Sequence, residues 1–132
     1  MSNELPAISK ETLEYFQKSS PDIIKKTVAL ALKREDEIKH HGKDAPKILT
    51  SGMEFTTKML EAAMSMGEIN LLEDEIKWAK DRLPHDGVEM EHIVNRFKIY
   101  REVITEILPT ENALEVTAYL DLMISKMQKL LD

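Results

Sequence analysis

The chain predicts an all-α protein, a single domain of about six helices. Three observations carry that reading. Residues 88–108, VEMEHIVNRFKIYREVITEIL, place Met90, Ile93, Val94, Phe97, Tyr100, Ile104, Ile107 and Leu108 at three- and four-residue spacing. That spacing marks one buried stripe on a long helix, punctuated by Gly87 before it and Pro109 after it. The 132 residues contain only four glycines and five prolines, mostly at segment edges, and the apolar/polar alternation of strands is missing. Apolar residues make up 42% of the chain, enough to fill one core.

The elements follow in order. Residues 1–8 are expected to be a loose end, and residues 9–132 form the domain. Ser9 can cap a short helix that buries Leu13 and Phe16. Ser20-Pro21-Asp22 reads as the start of a second helix: a capping hydroxyl, a proline at the first turn, and an acid at the positive dipole end. Ile24, Thr27, Val28, Ala31 and Ile38 face inward on it. Lys39-His40-His41-Gly42 closes it with cations and a glycine suited to a left-handed cap. Asp44, with Pro46 in the first turn, opens a third helix with the stripe Leu49, Gly52, Met53, Thr56, Met59, Leu60 and Ala63. Asn70 with Glu73 makes a capping-box pattern for a fourth helix that buries Leu72, Ile76, Ala79 and Leu83. Trp78 lies on a neighbouring face. Pro84-His85-Asp86-Gly87 is a turn by composition. After the central helix, Thr110 caps a last helix carrying Val116, Tyr119, Leu120, Met123, Met127, Leu130 and Leu131.

Two helices are more apolar than one core needs. Ala113, Leu114, Ala118, Leu122 and Ile124 lie off the first stripe of the last helix, and Ile99 and Val103 off that of the central one. A second apolar face must be covered. A homodimer through the last two helices would cover it; short neighbouring helices of the same chain are the alternative.

The totals exclude several classes. There is no apolar run of membrane-spanning length, and residues 1–16 lack the pattern of a signal peptide, so a cytoplasmic location is expected. No cysteine is present, which removes disulfides, thiolate metal sites and cysteine nucleophiles. The net charge of −6, with acids and bases interleaved, argues against nucleic-acid binding.

Candidate chemistry is sparse, and no catalytic constellation stands out. Glu37/His40 and Glu89/His92 both have the E-x-x-H spacing of a carboxylate-bridged di-iron bundle. However, Glu89 and His92 project with Arg96 and Ile99, away from the main stripe, and Glu37 and His40 lie at a helix end. Metal is therefore not expected, although iron analysis would discriminate. His85, in its turn, reads as a solvated side chain. The methionines allow two readings: plain core packing, or an adaptable apolar pocket between the third and central helices. In the pocket reading the ligand-binding residues are Met53, Met59, Trp78, Phe97, Tyr100 and Arg101. Arg82, Arg96 or Arg101 would meet the carboxylate of a fatty-acid ligand at the pocket mouth.

Residues 52–108 resemble the N-terminal sensor domains of RsbR-type stressosome proteins, and the related sensor domains of sporulation kinases and their stand-alone inhibitory relatives in bacilli. The resemblance rests on Trp78, Arg82, Leu83, Pro84, Gly87 and Val88, a W-x3-R-L-P-x2-G-V run, followed by a helix with Tyr100-Arg101. It covers somewhat under half of the chain well, and the rest only in helix order. It implies a globin-like fold, usually without haem, that dimerises through its last helices and feeds a kinase or stressosome partner. The stand-alone relatives are thought to bind a lipid-like ligand. Globins carry the proximal histidine on the helix before the central one. The segment from Asn70 to Leu83 has none, which argues against haem. No output domain follows the last helix in this sequence, so the chain is expected either to act without catalysis, through binding, or to be a fragment of something longer. A purely structural helical adaptor is the remaining alternative.

Overall fold

The computed structural model describes residues 5–33, 42–82 and 90–131; the side chains of 75, 78–82, 90, 130 and 131 lie outside that description. Among the described residues, five helices form one helical domain: α1 Lys10–Leu32, α2 Ala45–Met66, α3 Asn70–Arg82, α4 Met90–Ile107 and α5 Thr110–Leu131. No strand occurs among the described residues. The helix α1 lies against α2, α4 and α5, α4 packs along α5, and α3 touches α2 and α5.

The first correction concerns α1. Ser9 caps it, its hydroxyl accepting from Thr12 N at 3.2 Å. No second helix begins at Ser20, because α1 runs straight through Pro21. Proline inside a helix costs about 3 kcal/mol. Burial on both sides of it offsets that cost, since Phe16, Ser20, Ile23, Ile24, Thr27 and Val28 lie on one buried face. The Ser20 hydroxyl, read as a cap, instead donates to the Phe16 carbonyl at 2.6 Å. Ile23, fully buried, escaped the sequence reading. Ile38 and the residues 39–41 read as the helix end fall outside the described residues. Gly42 opens a single 3-10 turn, Gly42–Asp44, with φ of 64°.

Asp44 occupies the cap position of α2, but its side chain makes no capping bond; Pro46 lies in the first turn as expected. The buried face of α2 is Ala45, Leu49, Met53, Thr57, Leu60, Ala63 and Met64. It is turned slightly from the expected stripe: Gly52 is exposed, and Thr56 and Met59 are half-buried. Gly52 is unusual here. Glycine in a helix interior costs about 0.5–1 kcal/mol against alanine, and a Cβ at Gly52 would meet nothing within 4 Å. Nothing among the described residues requires it.

Gly67 ends α2 at φ 69°, and the Gly67 and Glu68 amides both reach the Ala63 carbonyl. A Cβ at Gly67 would lie 3.1 Å from the Ala7 backbone nitrogen. Gly67→Ala is therefore expected to lower stability by about 1–2 kcal/mol from the left-handed backbone alone, with a further loss as residues 5–8 are pushed away. Urea denaturation checks this. Helix α3 opens on Ile69, whose carbonyl accepts from the Leu72 and Glu73 amides, one residue ahead of the expected cap at Asn70. Glu73 reaches Lys126 on α5 at 2.5 Å. The Ala113 amide donates to the Pro109 carbonyl at 2.8 Å, which starts α5.

The expected loose end is, from Leu5 onward, tied down. Ile8 N donates to Met64 O at 3.0 Å, and the Tyr119 hydroxyl donates to Pro6 O at 2.7 Å. The Glu115 carboxylate accepts from Ser9 N at 2.8 Å, from Ser9 Oγ at 3.1 Å and from Thr12 Oγ1. Asn112 donates to Thr12 Oγ1 at 2.9 Å. These bonds, that from Thr12 foremost, hold the Glu115 carboxyl below its ordinary range. Its stabilising contribution is present above the ordinary carboxylate range and is lost as pH falls through the depressed folded value. Glu115→Gln is expected to flatten the acid-side decline of the urea midpoint between about pH 6 and about pH 3. An unchanged slope would show that the network carries no linkage.

The second apolar faces divide. Val103, Ala113 and Ile124 are buried within the chain, whereas Leu114 is 65% exposed. Ala118 is also exposed, and Ile99 and Leu122 are half-buried.

Candidate functional site

A groove of about 560 Å³ runs between α1 and α2. Its floor is the buried edge where the two helices meet: Ser20, Ile24 and Val28 from α1, and Thr57 from α2. Its rim is charged with both signs, Lys25 from α1 and Glu54, Lys58 and Glu61 from α2. The spacing explains the arrangement. Ile24 and Val28 are one turn apart on α1, as are Glu54 and Lys58 on α2, so α1 presents an apolar column to the groove and α2 a column of opposite charges. Pro21 lines the groove's edge, where its ring fills space on the exposed side of α1.

Thr57 joins this groove to the centre of the molecule. Its hydroxyl lies 2.7 Å from the Tyr100 hydroxyl on α4, with both residues buried. Burial pushes the Tyr100 phenol far up from its ordinary pKa; the Thr57 hydrogen bond opposes that rise, and the Glu61 charge adds to it. Tyr100 is therefore a neutral phenol across the physiological range. Its hydrogen bond with Thr57 is an uncharged bond in a dry setting.

The residues read as a pocket have different surroundings. Met53, Phe97 and Tyr100 are core residues, with the Phe97 and Tyr100 rings tilted at 6.4 Å. Met59 is half-buried beside the core. Arg101 points to the surface and forms a two-pronged pair with Asp121 at 2.5 and 3.2 Å. The hydrogen-bonded Asp121 carboxylate raises the arginine's pKa and gives its charge a counter-ion on α5. The Trp78 and Arg82 side chains fall outside the described residues. Of the five with described side chains, only Tyr100 is linked to the groove, through Thr57. Lys25, Glu54, Thr57, Lys58 and Glu61 were missed. The signal available was the pairing of opposite charges one turn apart, but most such pairs are solvated faces.

Among the described residues, no three histidine or acidic side chains are grouped to hold a metal. Glu37, His40, His85 and Glu89 fall outside them, while His92 is half-buried on α4. No described helix is long and apolar enough to cross a membrane.

Compared with known proteins, the chain matches no family model, no curated protein and no solved structure.

Proposed function

We propose that this chain is a non-catalytic signalling module of a bacterial stress or sporulation pathway, globin-like in its helix arrangement and without haem. Its ligand is amphipathic and fatty-acid-like, seated in the α1–α2 groove. The groove's volume of about 560 Å³ falls within the roughly 300–1,000 Å³ of small-molecule sites. Ile24 and Val28 meet the alkyl chain, and Lys25 or Lys58 meets the carboxylate. The observation that carries the reading is the Thr57–Tyr100 hydrogen bond. An occupant touching Thr57 acts on a residue bonded into α4, the helix that packs along α5. The module acts through a partner, a kinase or stressosome component. It dimerises through the last two helices, where Leu114 and Ala118 offer uncovered apolar surface. The response can be no larger than the ligand's differential affinity for two arrangements of these helices. Residues 52–108 support the same reading by their resemblance to sensor domains.

The test is denaturing extraction of purified protein followed by mass spectrometry, with calorimetric titration of added palmitate. Bound lipid is expected, as is palmitate affinity that falls about tenfold or more in Lys25→Ala/Lys58→Ala. No extracted lipid together with no binding of palmitate would overturn the reading. A Soret band or stoichiometric iron would replace it with a haem or di-iron protein.

A further inference from the structure

The rim of the α1–α2 groove holds two cations and two carboxylates, which cancel. Glu54, Lys58 and Glu61 alternate in sign along one face of α2, over about 10 Å of helix. Lys25 stands on the α1 wall. Among the described residues, no hydrogen bond or ion pair engages any of the four. Elsewhere such pairs tie the helices together: Lys26 to Glu106, Arg101 to Asp121 and Lys126 to Glu73. Glu54 and Lys58 have the four-residue spacing that favours a pair within one helix, yet they form none. The hydroxyls on the floor are already engaged, Ser20 with the Phe16 carbonyl and Thr57 with Tyr100. The unmet polar demand of the groove is therefore ionic, of both signs, and set at its rim.

We infer that the groove selects a zwitterionic amphiphile, an acyl chain whose headgroup carries a primary ammonium beside an anion. This rests on the groove being the ligand site proposed above, and it names the headgroup. The acyl chain lies over Ile24 and Val28. A bare carboxylate on Lys58 would sit between Glu54 and Glu61, about one turn to either side, and both would repel it. A headgroup that adds an ammonium turns both repulsions into attractions. Lys25 and Lys58 donate to the anion, and Glu54 and Glu61 accept from the ammonium N–H groups. The need for N–H donors separates a primary ammonium from a trimethylated one. Quaternary ammonium groups are held by aromatic faces, and no aromatic side chain among the described residues lines this groove.

Calorimetric titration of the full chain compares three probes below their critical micelle concentrations: lauroyl lysophosphatidylethanolamine, lauroyl lysophosphatidylcholine and laurate. The ethanolamine lipid is expected to bind about tenfold or more tighter than either of the others. Glu54 is exposed and Glu61 half-buried, so Glu54→Gln/Glu61→Gln is expected to keep the fold by circular dichroism. That variant is expected to bind the ethanolamine lipid about tenfold more weakly and laurate more tightly. A merely structural loss would weaken both. Lys25→Gln/Lys58→Gln, by contrast, is expected to weaken both. Laurate or the choline lipid binding as tightly as the ethanolamine lipid would overturn the inference and leave the site in place. So would a preference that survives Glu54→Gln/Glu61→Gln. Binding of none of the three probes would overturn the inference and the site together.

Discussion

Phe16→Ala is expected to lose about 3–5 kcal/mol of stability, whereas Tyr15→Ala, one residue earlier, is expected to change it by no more than about 0.5 kcal/mol. The contrast follows from α1 geometry. Phe16 is 0% exposed and Tyr15 42%, because a step of one residue turns the side chain by about 100°. Phe16 lies in the buried stripe, one turn before Ser20 and Pro21. Removing its ring leaves a cavity and also weakens the packing that keeps the helix continuous through the proline. A domain of this size has a total stability of about 5–15 kcal/mol, so the variant approaches unfolding at ambient temperature. Urea denaturation followed by circular dichroism measures both. A small loss at Phe16, with helicity falling only near residues 10–20 by hydrogen exchange, would show that the part of α1 before Pro21 is not integrated with the core.

The Thr57–Tyr100 pair should behave unlike either residue alone. Tyr100→Phe leaves the buried Thr57 hydroxyl without its partner, and Thr57→Val does the same to the Tyr100 hydroxyl. Each single change is expected to cost about 1–3 kcal/mol. The double variant removes both polar groups at nearly constant shape and is expected to be close to neutral. The cycle therefore yields a large coupling, as residues in direct contact do. Additive single losses would mean that the hydroxyls are satisfied elsewhere and that the link from groove to α4 is not energetic. Because burial keeps the phenol neutral, the coupling should be independent of pH between about pH 5 and about pH 9.

The bundle was legible because its core is written in periodicity. Val94, Phe97, Tyr100 and Ile104 on α4, and Val116, Tyr119, Leu120 and Met123 on α5, are buried as their spacing requires. Local punctuation was less reliable. Ser20-Pro21-Asp22 has every local feature of a helix start, yet Phe16 and Ile23 on either side bury on one face, and tertiary packing overrides the local preference. The turned face of α2 has a related cause. Its apolar arc is wider than one interface, so Met59 and Gly52 could not be told from Met64 and Thr57 by spacing. The groove was illegible for a further reason. It lies where two helices pack, so which of their side chains face each other is set by packing rather than by local spacing, and its rim consists of residues whose ordinary role is to meet water. Glu115 was equally hidden, since its partners Ser9 and Thr12 lie more than a hundred residues away.

Residues 6–12 and 112–119 meet in one hydrogen-bonded network, from Ser9 and Thr12 to Glu115, from Asn112 to Thr12 and from Tyr119 to Pro6. The start of α1 and the first half of α5 are thus fastened to each other across more than a hundred residues, and removing residues 5–12 would leave Asn112, Glu115 and Tyr119 short of polar partners.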